Sequence, residues 1–170
     1  FESSHHTLHS DTLKSAMFVT ARQLYGKDVA TEAFFDSFQL SSAFPFTEEG
    51  YFFPKPLHFE PKADPSKRKL LKGQPYIPLH LLEMILRDKK SVSAADLIAA
   101  PQPEVWSEIT EQHVSIDRED SRGEPFYVER LFPKKPASRG LFFILWQPGG
   151  VTPELRKQIT QMLQLLGENG

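Results

Sequence analysis

A chain of 170 residues has room for one domain with a proper core and is short for two. Its composition, 39% hydrophobic and 25% charged, is that of a soluble globular protein, and the absence of cysteine excludes disulfides and thiolate metal sites and fits a reducing, cytoplasmic setting. The net charge of −2 conceals alternating blocks, with residues 1–50 carrying −4, 55–90 carrying +5, 104–124 carrying −5 and 130–139 carrying +4.

Two basic stretches in a near-neutral chain can hold phosphates, although a mixed, solvated surface is the simpler account of them from charge alone. No apolar run approaches the roughly 18 residues of a membrane span, so no membrane partner is expected. Leu13, Met17, Ala21 and Leu24 stand at helical spacing with Gly26 beyond them, which predicts a helix over 11–25. A second helical stretch follows at 31–38. QLSSAF (39–44) and YFFPKPL (51–57) read as two short strands joined by the turn-like PFTEEG, and Pro54 and Pro56 confine the second to an edge or mark its ending.

The basic, proline-punctuated segment 60–75 reads as loop. Pro78 then opens a helix over 79–87 in the first-turn position, and a short helix at 93–99 follows. HVSID, REDSRGEP and FYVERLF form a candidate long hairpin with a charged tip. GLFFILW (140–146) has the length and apolarity of a buried central strand. Thr152 as N-cap, Pro153 at the first helical position and the repeat Leu155, Ile159, Met162, Leu163, Leu166 predict a final helix over 152–166.

This order is the middle of an α+β, ferredoxin-like (RRM-like) βαββαβ domain spanning 1–170, with an inserted helical segment and a protruding β-hairpin between about 60 and 130. A complete version needs one strand before residue 1 and another after residue 170, so the chain is expected to be cut at both ends.

In HSDTLKSAM (9–17), Ser10 or Asp11 is expected to cap the first helix. The same helix end, with its free amides and Lys14 one turn in, also suits a phosphate. His5, His6 and His9 lack any partner at diagnostic metal-ligand spacing, so no metal and no cofactor are expected. His113 with Lys134 or Lys135 is the one combination suited to acid/base cleavage of RNA. Phe44, Phe46, Tyr51, Phe52 and Phe53 have the chemistry to stack bases, but burial of alternate strand residues explains them. Lys55, held between prolines, is a rigid place from which to present a charge.

HSDTLKSAM, SSAFPF followed by YFFPKPL, YIPL, HVSIDRE, FYVERLFPKK leading into GLFFILW, and the final LLGENG together resemble the repeat-associated RAMP superfamily. Within it they resemble the family of Csm-complex subunit four of type III-A CRISPR systems. The resemblance covers nearly the whole chain. It implies a non-catalytic protein that caps a ribonucleoprotein filament and holds the repeat-derived 5′ tag of the crRNA. Its protein partners would be the large polymerase-like subunit and the Csm backbone subunit.

Carried onto this sequence, the resemblance points to His9, Ser10, Asp11, Thr12 and Lys14 beside the RNA backbone, and Lys55 joins them as a candidate from its own placement between prolines. Asp11 opposes phosphate and is better suited to capping or orienting its neighbours. On the arm that resembles the family's thumb, it points to His113, Ser115, Asp117 and Arg118. The competing readings are a RAMP-type endoribonuclease using His113 or His9, and a structural adaptor that contacts protein only.

Overall fold

The first helix forms where Leu13, Met17 and Ala21 line one side with Thr20, whose hydroxyl folds back onto the Ala16 carbonyl at 2.9 Å. It stops at Gly26, which takes a positive φ of 78° that a side chain would resist. The computed structural model describes residues 7–59, 61, 64–89, 91–116, 123–135 and 137–168, with backbone only at 116, 123 and 124. In chain order the elements are α1 (Ser10–Tyr25), α2 (Glu32–Asp36), β1 (Gln39–Leu40), β2 (Phe44–Thr47), β3 (Gly50–Pro54), α3 (Pro65–Lys72) and β4 (Tyr76–Pro78). They continue with α4 (Leu79–Arg87), α5 (Ala94–Ala99), β5 (Trp106–Ile116), β6 (Gly123–Pro133), β7 (Gly140–Phe142), β8 (Leu145–Trp146) and α6 (Pro153–Glu168).

The chain divides into two compact units. One consists of Thr7–Ala43 and residues 142–168. Its core is the seam between α1 and α6, where Leu13, Met17 and Ala21 meet Leu155, Ile159 and Met162, joined by Phe35 from α2 and by Phe38. Phe18, Phe34, Phe35 and Phe38 pack mainly edge to face, with centroids 5.1 to 5.6 Å apart. α6 starts as expected, with the Thr152 hydroxyl accepting the Leu155 N–H at 3.2 Å. β1 and β8 close the unit as a two-residue antiparallel ladder, Gln39 opposite Trp146 and Leu40 opposite Leu145.

The other unit is built on Phe44–Leu141. It holds a four-stranded sheet in the order β4-β3-β2-β7, with β2–β3 and β3–β4 antiparallel. Phe59, Leu71, Ile77, Leu81, Ile85 and Leu97 form its apolar cluster, which ties α3, α4 and α5 together. Ser93 starts α5 through a reciprocal capping box with Asp96. At Gly140 an added Cβ would stand 3.0 Å from the edge of the Phe46 ring, so a larger residue would require that ring to give by a few tenths of an ångström. β5 and β6 pair separately over eleven residues each, from Trp106 opposite Pro133 to Ile116 opposite Gly123.

Four expectations need correction. The segment 60–75 is not all loop, because it contains α3. Lys, Arg and Leu are strong helix formers, Pro65 takes the first helical position, and only Leu71 is buried, so apolar periodicity gave no sign of it. Pro78 ends β4 and precedes α4 as its N-cap rather than lying inside the helix.

The strand expected over 39–44 breaks at Ser41–Ala43, and GLFFILW is not one buried strand but β7 and β8, with Ile144 49% and Trp146 54% exposed. The same bond underlies both breaks: the Ser41 hydroxyl takes the Ile144 N–H at 2.8 Å, a side chain occupying a donor that a continuous ladder would use. The fold is mixed α/β with separate antiparallel pairings.

Met17 is fully buried, so Met17→Ala is expected to cost about 2–5 kcal/mol in urea unfolding. Val19→Ala, on the exposed side of the same helix, should stay within about 0.5 kcal/mol.

Candidate functional site

At the start of α1 the N-cap is His9, whose side chain makes no capping bond, and Ser10 and Asp11 lie already inside the helix. This corrects the expectation that Ser10 or Asp11 caps it. The capping acceptor comes from far along the chain: the Ser42 hydroxyl accepts the Ser10 N–H at 3.2 Å. The first intrahelical bond runs from Leu13 N–H to the His9 carbonyl at 3.0 Å. The N–H groups of Asp11 and Thr12 therefore have no partner among the described residues, and both residues are exposed.

Lys14, half-buried one turn in, places its ammonium over the Phe38 ring at 5.7 Å from the centroid. The ring restricts the cation without neutralising it. Among the predicted residues this unit thus gathers His9, Ser10, Asp11, Thr12 and Lys14 on one helix end.

Lys55, His113 and Ser115 belong to the other unit. Lys55 follows β3, and its ammonium donates a hydrogen bond to the Leu71 carbonyl in the last turn of α3, where a cation also meets the negative helix end. Two of its three N–H donors are not used in that bond.

On the hairpin, strand alternation puts Ile109, Glu111, His113 and Ser115 of β5 on one face with Phe126, Val128, Arg130 and Phe132 of β6. The His113 ring stacks on Phe126 at 5.5 Å and 25°, with its Nε2 3.3 Å from Glu111 Oε2. Glu111 also meets Arg130 Nε at 3.1 Å. Asp117 and Arg118 lie outside the described residues, as do His5 and His6.

The register separates the proposed acid/base pair. His113 is seven residue steps along β5 from Trp106, which stands opposite Pro133, so it lies roughly 23 Å along the hairpin from the strand end that leads to Lys134 and Lys135. Lys134 instead meets Glu104 at 3.3 Å. Among the described residues no group of three His, Cys, Asp or Glu side chains is placed to hold a metal ion. No helix among them is long and apolar enough to cross a membrane. Of the sheet aromatics, Phe52 is buried, while Phe46 and Tyr51 pack across β2 and β3 at 6.3 Å with Tyr51 exposed.

Sequence reading did not single out Arg130 or Phe126, whose place on the His113 face follows only from the register. It also missed a polar cavity of about 220 Å³ lined by Glu48, Glu49, Gln102, Glu104 and Arg139 among others. Arg139 donates to the Glu104 carbonyl at 2.9 Å and lies 3.8 Å from Glu48, and its Nε is buried without a partner among the described residues. The Ser138 hydroxyl donates to Glu48 at 2.7 Å. That bond, with Lys135 and Arg139 nearby, holds the Glu48 carboxyl below its ordinary value of 4.5.

No family model matches the sequence, and no curated protein matches it. A chain from the crystal structure of the Csm3–Csm4 subcomplex in the type III-A CRISPR–Cas interference complex matches over 99% of this chain, with a TM-score of 0.64 and 16% identity. This chain shares the fold of a Csm-complex subunit. A chain from the crystal structure of the Csm1–Csm4 cassette in complex with AMPPNP matches over 92% of this chain, with a TM-score of 0.49 and 18% identity. The present chain covers 63% of the first of those chains and 60% of the second, less than two thirds of either. The mixed architecture with antiparallel sheets agrees with the RAMP resemblance read from the sequence motifs.

Two outcomes follow from the geometry. Ser42→Ala removes the acceptor for the Ser10 N–H and should lower stability by about 0.5–1.5 kcal/mol in urea unfolding. Because the Glu48 carboxyl titrates below its unfolded value, its contribution to stability is present above about pH 4.5 and is lost as pH falls through the lower folded value. Ser138→Ala should therefore move the Glu48 midpoint, followed by carboxyl-carbon NMR, up toward 4.5, and the stability gap between the two proteins should close under acid.

Proposed function

We propose that this chain is a non-catalytic RNA-binding subunit of a type III-A CRISPR effector complex, one that holds the 5′ tag of the crRNA. In that reading its two units belong to one RAMP domain on a ferredoxin-like plan, interrupted between about 60 and 130, and its neighbours are the large polymerase-like subunit and a Csm backbone subunit. The observation that carries the proposal is the likeness of fold over 99% of the chain to a chain of the Csm3–Csm4 subcomplex.

The site chemistry supports it. Asp11 and Thr12 offer amides at a positive helix end, and Lys14 adds a fixed cation one turn further in, a combination suited to a ribose-phosphate strand. Asp11 itself offers RNA its amide rather than its carboxylate, which favours the helix dipole. Lys55 contributes with the donors it does not give to Leu71. His113, Ser115 and Arg130 line the hairpin face beside aromatic rings on which bases can stack. Phosphate contacts set the affinity and base contacts the preference for the tag.

The test is binding of labelled tag RNA across a series of salt concentrations. Lys14→Gln should flatten the slope of log affinity against log salt by about 0.7, and the RNA should be recovered intact. An unchanged slope removes Lys14 from the interface. Binding that ignores salt altogether would leave an adaptor that contacts protein only.

A further inference from the structure

The largest charge feature that the proposed tag site leaves unused is α3. Its eight residues, Pro65–Lys72, carry Lys67, Arg68, Lys69 and Lys72 and no acid. All four cations are exposed, and none pairs with a carboxylate among the described residues.

The helix is arranged against its own electrostatics. Lys69 and Lys72 suit the negative C-terminal end, but Lys67 and Arg68 crowd the positive N-terminal end, where the first turn of the helix holds no acid and the N-cap Asp64 is the nearest one in sequence. The N-cap Asp64 makes no side-chain capping bond. Arg68 and Lys72 are like charges one turn apart, a pairing that weakens a helix. At about 100° per residue, Arg68, Lys69 and Lys72 fall within about 100° of the circumference.

What holds this unfavourable helix is tertiary. Leu71 is its one buried side chain, packed into the cluster of Phe59, Ile77, Leu81 and Leu97, and the Lys55 ammonium binds the Leu71 carbonyl. An eight-residue helix is marginal without such anchors. The fold therefore keeps a cationic rod in place although its charges repel one another.

We propose that α3 is a second RNA contact, a sequence-independent clamp on the phosphates of a single strand. This rests on the reading of the chain as an RNA-binding subunit and adds a contact distinct from the α1 end. The chemistry favours phosphate over protein or lipid. Three of the four cations are lysines, which are depleted from protein–protein interfaces and common on nucleic-acid backbones. A membrane-surface helix needs an apolar face, and α3 exposes only Leu70 as a large apolar side chain.

The test uses the full chain, a labelled 40-nucleotide oligouridine and vesicles containing phosphatidylserine. The variant carries Lys67→Gln, Arg68→Gln, Lys69→Gln and Lys72→Gln together. These are exposed positions whose charges repel one another, so its melting curve should match that of the parent or lie slightly above it. A control carries Arg156→Gln and Lys157→Gln on the exposed side of α6.

The α3 variant should flatten the salt slope for oligouridine by roughly 0.7 for each cation that meets a phosphate, about 1.4 or more in all, while the control stays near the parent. A parent slope retained by the α3 variant overturns the clamp and leaves the α1 reading standing. A slope lost in the α3 variant but kept in Lys14→Gln supports the clamp and counts against the α1 site. No oligouridine binding by the parent, or an effect confined to vesicles, overturns the clamp.

Discussion

The seam between α1 and α6 is the constraint on which the candidate site depends. Met17 and Met162 are both fully enclosed there, between Leu13, Ala21, Leu155 and Ile159. Unbranched methionine adapts to the gaps left by branched and aromatic neighbours, which lets two helices and the Phe35–Phe38 cluster share one buried core. At the far end of α1 the Tyr25 hydroxyl donates to Gln161 at 2.6 Å, and partial burial with Glu154 nearby raises the Tyr25 pKa, keeping the phenol protonated as a donor. At the near end Ser42 takes one amide and leaves the next two open. A helix fixed along its length can present unpaired donors without fraying, which is what a phosphate-binding end requires.

Where apolar spacing is long and regular, the sequence was readable. α1 and α6 lie close to their expected positions because four or more apolar residues recur at helical spacing and Gly26 or Thr152 marks an end, and α4 does so after Pro78. The long hairpin was also readable in outline, although its strands extend to eleven residues each because Trp106–Gln112 and the proline-flanked ends continue the pairing.

The rest failed for identifiable physical reasons. α3 buries one residue, so its helical signal lies in propensity and charge rather than periodicity. The strand breaks depend on Ser41 meeting Ile144, 103 residues away, and the α1 cap depends on Ser42, 32 residues away. No local pattern announces such bonds. The same is true of Ser138 reaching Glu48 across 90 residues. Arg130 and Phe126 became visible as neighbours of His113 only once the register was fixed, since a slip of one residue would send both to the opposite face.

Under the proposed function, each unit carries its own chemistry for RNA. One offers backbone amides on a rigid helix, and the other offers a cationic helix and a hairpin face mixing rings with charge. Backbone donors are indifferent to base identity, whereas stacked rings and the Arg130–Glu111–His113 chain can discriminate. The most direct measurement is amide NMR of the chain during titration with tag RNA. The account predicts that the Asp11 and Thr12 N–H resonances shift and saturate together with binding. It is contradicted if the RNA binds while both resonances stay where they were.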